Sequence, residues 1–170
     1  MQRKVGSQLN KAIFTDKVLE IQSILYHVSK SILIHEQDCE DAVQGAILKA
    51  YNKLDTLKKE QYFKTWLVRI LINECYGLIS KKHPQIPYEE YFESAKADDR
   101  KDYSELYMAI QNLPERIRIT IVLYYVDGYS VKEIKQILGI PTGTVKSRLS
   151  KGRKSIKIKL ENMEVNYECL

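Results

Sequence analysis

Apolar residues recur along most of the chain at alternating steps of three and four, the period of one face of an α-helix. Val18, Ile21, Leu25, Val28 and Ile32 form the first such stripe and predict a first helix. Asp38, Glu40 and Asp41 then place acids where a helix begins, complementing the positive end of its dipole, and Val43, Ile47, Ala50 and Leu54 continue that second helix. The polar, unpatterned run Asp55 to Gln61 predicts a loop. A third stripe follows with Phe63, Trp66, Leu67, Ile70, Leu71 and Leu78. Three helices with wide apolar faces suffice for a small bundle.

His83, Pro84 and Pro87 stop the third helix, because proline has no amide donor and drives its predecessor out of the helical region. The next segment, QIPYEEYFESAKADDRKDYSE, is acidic and lacks a sustained stripe, as a linker does. Helical spacing resumes with Leu106, Ile110 and Leu113. Pro114 opens another helix carrying Ile117, Ile121 and Tyr124 or Tyr125 on one face, and Asp127-Gly128 closes it. The pattern therefore predicts an all-α chain in two parts: a helical domain over 1–83, a linker over 84–103, a second helical domain over 104–162, and a tail over 163–170. Residues 1–15 and the tail are expected to be flexible extensions.

The last part of the pattern is the most specific. In YSVKEIKQILGIPTGTVKSRLSKGRKSIK, Ser130 can cap a short helix whose Val131, Ile134, Ile137 and Leu138 turn inward, and Gly139 ends it. After Ile140 and Pro141, the next helix buries Val145, Leu149 and Ile156, with Gly152 between them allowing close approach. This is the spacing of a helix-turn-helix, in which the first helix props the second across the major groove. Opposite Val145 lie Ser147, Ser150, Lys151 and Lys154, flanked by Thr144 and Lys146. Cations bond phosphates and guanine edges, and hydroxyls reach base or backbone.

Charge sharpens that reading. Of 27 basic and 22 acidic residues in the 170, residues 129–160 hold nine basic and one acidic, a local excess of +8, whereas 84–105 hold three and seven. Such clustering is the electrostatic footprint of a polyanion partner. Composition limits the alternatives: 44% hydrophobic residues with only 7 Gly and 4 Pro exclude a disordered or collagenous chain. No apolar run reaches the ~20 residues that span a bilayer, and the first residues lack a signal-peptide pattern, which predicts a cytoplasmic protein with no membrane insertion. Cys39, Cys75 and Cys169 are an odd number, widely spaced and without a CxxC pair, so neither a disulfide framework nor a metal site is expected. His27, His35 and His83 are scattered, no P-loop, GxSxG or HExxH is present, and neither an enzyme nor a cofactor is expected.

The run LPERIRITIVLYYVDGYSVKEIKQILGIPTGTVKSRLSKGRKSIK resembles region 4 of bacterial RNA polymerase sigma factors. DCEDAVQGAILKAYNKL and FKTWLVRILINECYGLISKK resemble their region 2, and the short linker between the two regions is that of the extracytoplasmic-function group. The resemblance implies a transcription initiation factor that binds core RNA polymerase, through the β′ clamp helices and the β flap, together with promoter DNA. An anti-sigma factor is the partner commonly implied. By the same resemblance, Asp38, Asp41, Gln44 and Lys49 dock on core polymerase, and the loop with Asp55, Lys58 and Lys59 captures a flipped base of the −10 element. Tyr62, Lys64, Arg69, Asn73, Lys81 and Lys82 handle the −10 region, where cations suit a single-strand path. Trp66 falls in the core stripe, leaving Tyr62 the better stacking aromatic. Thr144, Lys146, Ser147, Arg148, Ser150, Lys151 and Lys154 are implied for the −35 element. Gly77, Ser80 and Lys135 depart from the family pattern. The rival reading is a stand-alone dimeric helix-turn-helix regulator; an anti-sigma antagonist that mimics these folds is a second.

Overall fold

A computed structural model describes the backbone of residues 11–82 and 105–168 and the side chains of 13–82 and 105–162. The first part holds α1 (Lys11–Glu20), α2 (Gln22–Ile32), α3 (Glu36–Asn52) and α4 (Phe63–Lys82), with short 3-10 turns at Leu54–Thr56 and Glu60–Tyr62. The second holds α5 (Glu105–Gln111), α6 (Glu115–Ile121), α7 (Val131–Leu138) and α8 (Thr142–Glu168). All are helical, and no strand occurs among the described residues. The chain divides into two compact units, residues 1–96 and 97–170. The expected linker 84–103 and the stop at His83, Pro84 and Pro87 lie outside the described residues; the last described residue of α4 is Lys82.

Within the first unit the stripe from Val18 to Ile32 belongs to two helices rather than one. The backbone leaves helical geometry at Ile21 (φ −113°, ψ 13°), although its side chain stays buried. The core also begins earlier than the stripe. Phe14, 4% exposed, meets the rings of Tyr51 and Phe63 edge-on at 5.4 and 5.6 Å, which docks α1 onto the end of α3 and the start of α4. Residues 11–15 are therefore helix, not extension.

On α3 the deepest residues are Ala42, Ala46 and Ala50, with Cys39, whereas Val43 and Ile47 are only half-buried. Small side chains at every fourth position let α3 lie close against α4, so the buried face carries the least bulk. On α4 the core line is Leu67, Leu71, Cys75 and Ile79, joined by Val68 and Ile72. Trp66, Ile70 and Leu78 flank it half-buried, and Trp66 leans on Phe63 at 6.2 Å instead of sitting in the deep core. The joint between α2 and α3 is fastened by Lys30, whose buried ammonium donates to the Ile34 carbonyl at 2.8 Å and pairs with Glu36 at 3.2 Å. A buried cation is stable only with such partners.

In the second unit, α6 runs into a π-turn at Val122–Val126, closed by the Asp127 amide donating to the Val122 carbonyl at 3.0 Å. The added residue in that turn rotates Tyr124 and Tyr125 outward, and both are exposed, so neither extends the buried face of Ile121. Gly128 (φ +72°) reverses the chain and lets Tyr129 fill the core. Leu106 is exposed as well; Ala109 is the buried residue of α5, and Leu113 is buried just past its end. Between α5 and α6, the fully buried Arg118 donates at 2.9 Å to the carbonyls of Gln111 and Leu113, closing the open end of α5. α8 continues to Glu168, past the expected domain end at 162, so most of the expected tail is helix.

Candidate nucleic-acid interface

The second unit builds its outward face from local rules. Ser130 accepts the Glu133 amide at 3.3 Å while the Glu133 carboxylate accepts the Ser130 amide at 2.8 Å, a complete capping box that fixes the start of α7. Gly139 ends α7 in the left-handed region (φ 66°), which a side chain would strain, and its amide donates to the Lys135 carbonyl at 2.9 Å. Ile134 and Ile137 face inward, Val131 and Leu138 are half-buried, and Lys135 lies exposed.

α8 then starts at Thr142, with Val145 and Leu149 buried. A Cβ on Gly152 would stand 2.6 Å from Ile121 Cδ1 and 3.0 Å from Ile117 Cγ2, so the glycine sets how closely α8 crosses α6. That crossing leaves Lys146, Ser147, Ser150, Lys151 and Lys154 exposed and Thr144 and Arg148 half-buried. Thr144, Ser147, Arg148 and Lys151 form one wall of a groove of about 480 Å³; Arg116 and Ile117 of α6 form the other. Ser150, Lys146 and Lys154 lie outside it. Arg116 is the residue the sequence pattern missed, because it belongs to a different element from the helix-turn-helix.

The first unit presents two further faces. On α3, Asp41, Gln44 and Lys49 are exposed, together with Leu48 at 62%, an apolar side chain one turn beyond Gln44. Asp38 differs: it is 5% exposed and paired with Lys82 of α4. That hydrogen bond raises the Lys82 pKa above the ordinary lysine value. Lys49 pairs with Glu74, whose carboxylate occupies the space where Gly45 carries no side chain. Two residues assigned to polymerase docking are thus tied to the helix assigned to promoter DNA.

The polar stretch 55–61 is an ordered connector. Leu57 is buried beneath it, Thr56 Oγ1 donates to the Lys53 carbonyl at 2.7 Å, and Glu60 pairs with Lys17 of α1 at 2.9 Å. Asp55, Lys58, Lys59 and Tyr62 all point to solvent. Along α4, Arg69 and Asn73 share one exposed face, and the exposed Tyr76 lies on it too, about 20° from Arg69 at 100° per residue. Lys64 and Lys82 fall about 140° around the helix from Arg69, and Lys81 about 120°. The candidate −10 residues of α4 therefore do not form a single stripe: Lys82 turns toward α3 and Lys64 is half-buried. Tyr76 is a second aromatic beside Tyr62 that spacing alone did not single out.

Elsewhere the titratable groups serve packing. Burial pushes the Cys39 thiol up to about 11 and raises Cys75 further. Both are free thiols. Among the described residues no group of His, Cys, Asp and Glu could hold a metal ion, and no helix is long and apolar enough to cross a membrane.

Comparison with known proteins follows the same division. The family model for Sigma-70 region 2 matches residues 18–84, and that for Sigma-70, region 4 matches residues 103–156. The ECF RNA polymerase sigma factor SigW of Bacillus subtilis (strain 168) is 31% identical over 170 residues, covering 88% of this chain and 90% of SigW. The ECF RNA polymerase sigma-E factor of Escherichia coli (strain K12) is 32% identical over 142 residues, covering 73% and 74%. Among solved structures, the sigma factor RpoE in complex with the anti-sigma factor NepR, from Bartonella quintana, has a TM-score of 0.71 at 24% identity, over 87% of this chain and 96% of that one. CnrH in complex with the cytosolic domain of CnrY has a TM-score of 0.68 at 24% identity, over 91% of each chain.

Proposed function

The chain belongs to the extracytoplasmic-function group of the sigma-70 family of RNA polymerase sigma factors, and from that premise we propose how its two units share the work of promoter recognition. As a sigma factor it directs core RNA polymerase to promoters and starts transcription there; this is not an enzyme family. The second unit reads the −35 element with Lys146, Ser147, Arg148, Ser150 and Lys151, flanked by Thr144 and Lys154. The observation that carries this reading is the capped, glycine-terminated helix-turn-helix whose outward face holds cations and hydroxyls while Val145 and Leu149 are buried.

The first unit docks on the β′ clamp helices through the exposed α3 face of Asp41, Gln44 and Lys49, with Leu48 supplying apolar contact. Asp38 acts from beneath that face by holding the end of α4 through Lys82. Asp55, Lys58, Lys59 and Tyr62 receive an unstacked base of the −10 element, and Arg69 and Asn73 guide the opened strand, with Lys64, Lys81 and Lys82 adding positive charge around the helix. The second unit also meets the β flap. The RpoE and CnrH structures each hold a second protein, an anti-sigma factor in the first case. We extend that mode of control to this chain, acting in the cytoplasm. Each unit alone offers few phosphate contacts, so affinity arises when polymerase fixes both on one promoter.

The test is multi-round transcription with purified core polymerase on a pool of promoter-length fragments, with and without the protein, followed by sequencing of 5′ ends. New starts that share paired −35 and −10 elements are expected. If no start appears and the protein alone binds a palindrome as a dimer, the stand-alone regulator replaces this reading.

A further inference from the structure

We propose that Arg116 is a further promoter contact, binding a phosphate of the −35 duplex from outside the helix-turn-helix; the proposal rests on the −35 reading of the second unit. The groove between α6 and α8 supplies the geometry. Ile117, the next residue, and Ile121 lie against Gly152 of α8, so the α6 side chains pack directly onto the backbone of the recognition helix. Arg116 is exposed at the edge of that crossing and shares the groove with Ser147, Arg148 and Lys151. Three cations thus converge on one concavity, and no carboxylate lines it. Gly143 adds no side chain to the floor, leaving open space above the α8 backbone.

Such a site selects an anion. Because one wall is the recognition helix itself, the anion that reaches it when Ser147 and Lys151 meet base edges is the adjoining DNA backbone. A guanidinium suits that role, since its planar fork can bond two phosphate oxygens at once. Arg116 is also held on a rigid frame. Its carbonyl accepts Thr120 Oγ1 at 2.8 Å, and Arg118, two residues on, is anchored in the core by two carbonyls. A contact presented from a fixed backbone loses little freedom on binding.

The contact carries no sequence information, which separates it from its neighbours on α8. Arg116→Gln should weaken binding of the reconstituted holoenzyme to a labelled promoter duplex by about three- to tenfold near ~0.1 M salt. It should lower the slope of log affinity against log salt by about 0.9, the value of one B-DNA phosphate. The same fold-loss should appear on a promoter with a substituted −35 sequence, and Arg116→Lys should recover much of the slope. Lys157→Gln, an exposed α8 cation outside the groove, should leave the slope unchanged. A slope equal to wild type in Arg116→Gln overturns the proposal. So does a loss confined to the native −35 sequence, which would make Arg116 a base reader, or a loss seen instead in assembly with core polymerase, which would make the groove a site for an acidic polypeptide. If the wild-type holoenzyme itself shows no −35-dependent binding, the promoter reading of the unit has failed, independently of Arg116.

Discussion

Replacing Arg118 by methionine should unfold the second unit selectively. The guanidinium is fully buried and closes α5 by donating to the Gln111 and Leu113 carbonyls at 2.9 Å each. Methionine keeps most of the aliphatic volume but has no donor, so the Gln111 carbonyl at the end of α5 and the buried Leu113 carbonyl just past it both lose these bonds. Hydrogen bonds to a charged group are worth ~1.5–3 kcal/mol each, which puts the loss at about 3–4 kcal/mol once the retained packing is counted. At ~0.05–0.15 kcal/mol per residue, a unit of this size has roughly 4–11 kcal/mol in all. The substitution therefore removes a large fraction of it, and at about 4–8 °C per kcal/mol the midpoint should fall by about 12–30 °C. Far-UV circular dichroism follows the helices, and Trp66, the single tryptophan, lies in the first unit and gives that unit its own emission signal. The expected result is an early loss of part of the helical signal while Trp66 emission keeps its wild-type transition. A midpoint shift under about 4 °C would refute the assignment of Arg118 as the keystone of this joint, and Arg118→Lys, which keeps the charge and donors on a shorter side chain, should fall between the two.

Gly152→Ala gains ~1 kcal/mol of helix propensity but drives a methyl into Ile121, and overpacking costs ~1–3 kcal/mol, so a net loss of about 1 kcal/mol is expected. In urea unfolding, Ile121→Ala, which removes both the Cδ1 and the Cγ1 that the new methyl would meet at 2.6 Å, should make Gly152→Ala cost less than it does in the wild-type background; an equal cost would mean that the contact is not the cause. Asp38→Asn removes the carboxylate charge behind the raised Lys82 pKa and leaves only a weaker amide acceptor. That pair contributes stability fully present below the ordinary lysine pKa and lost as pH rises through the raised one, so the variant should shift the Lys82 titration seen by side-chain NMR to lower pH, and an unmoved titration sinks the pairing. With the Cys39 thiol pushed up to about 11 and Cys75 raised further, both should resist alkylation at pH 8 in the native protein and react promptly in denaturant. Peptide mapping checks this, and equal rates in the two states would contradict their burial.

The helices and their division into two parts were legible because each helix repeats one apolar face, and Ser130 and Gly139 mark both ends of α7 in sequence alone. What stayed hidden was decided by contacts between helices. The break at Ile21 keeps its side chain in the stripe, so periodicity runs across it unbroken. The α3 face is lined by Ala42, Ala46 and Ala50 because α4 lies close; a search for bulk finds Val43 and Ile47 instead. The π-turn at Val122–Val126 adds one residue to a turn and so turns Tyr124 and Tyr125 outward, which no stripe foretells.

The same distinction separates the legible from the illegible parts of the site. The outward face of α8, proposed for the −35 element, was readable as a face because one helix presents it, and the direction opposite Val145 could be worked out by counting. The −10 and docking residues were placed by resemblance alone, and resemblance does not say which of them face one another. Asp38 and Lys82 were assigned to different partners, yet they bond to each other across α3 and α4. Arg116 lay in plain view two residues before the buried Arg118, with nothing in its spacing to connect it to Lys151. Only the crossing of α6 over Gly152 brings the two arginine and lysine side chains to one groove. A site on one helix follows from a repeat, whereas a site between helices follows from the smallest residue at their crossing, and here that residue is a glycine 36 positions along the chain from Arg116.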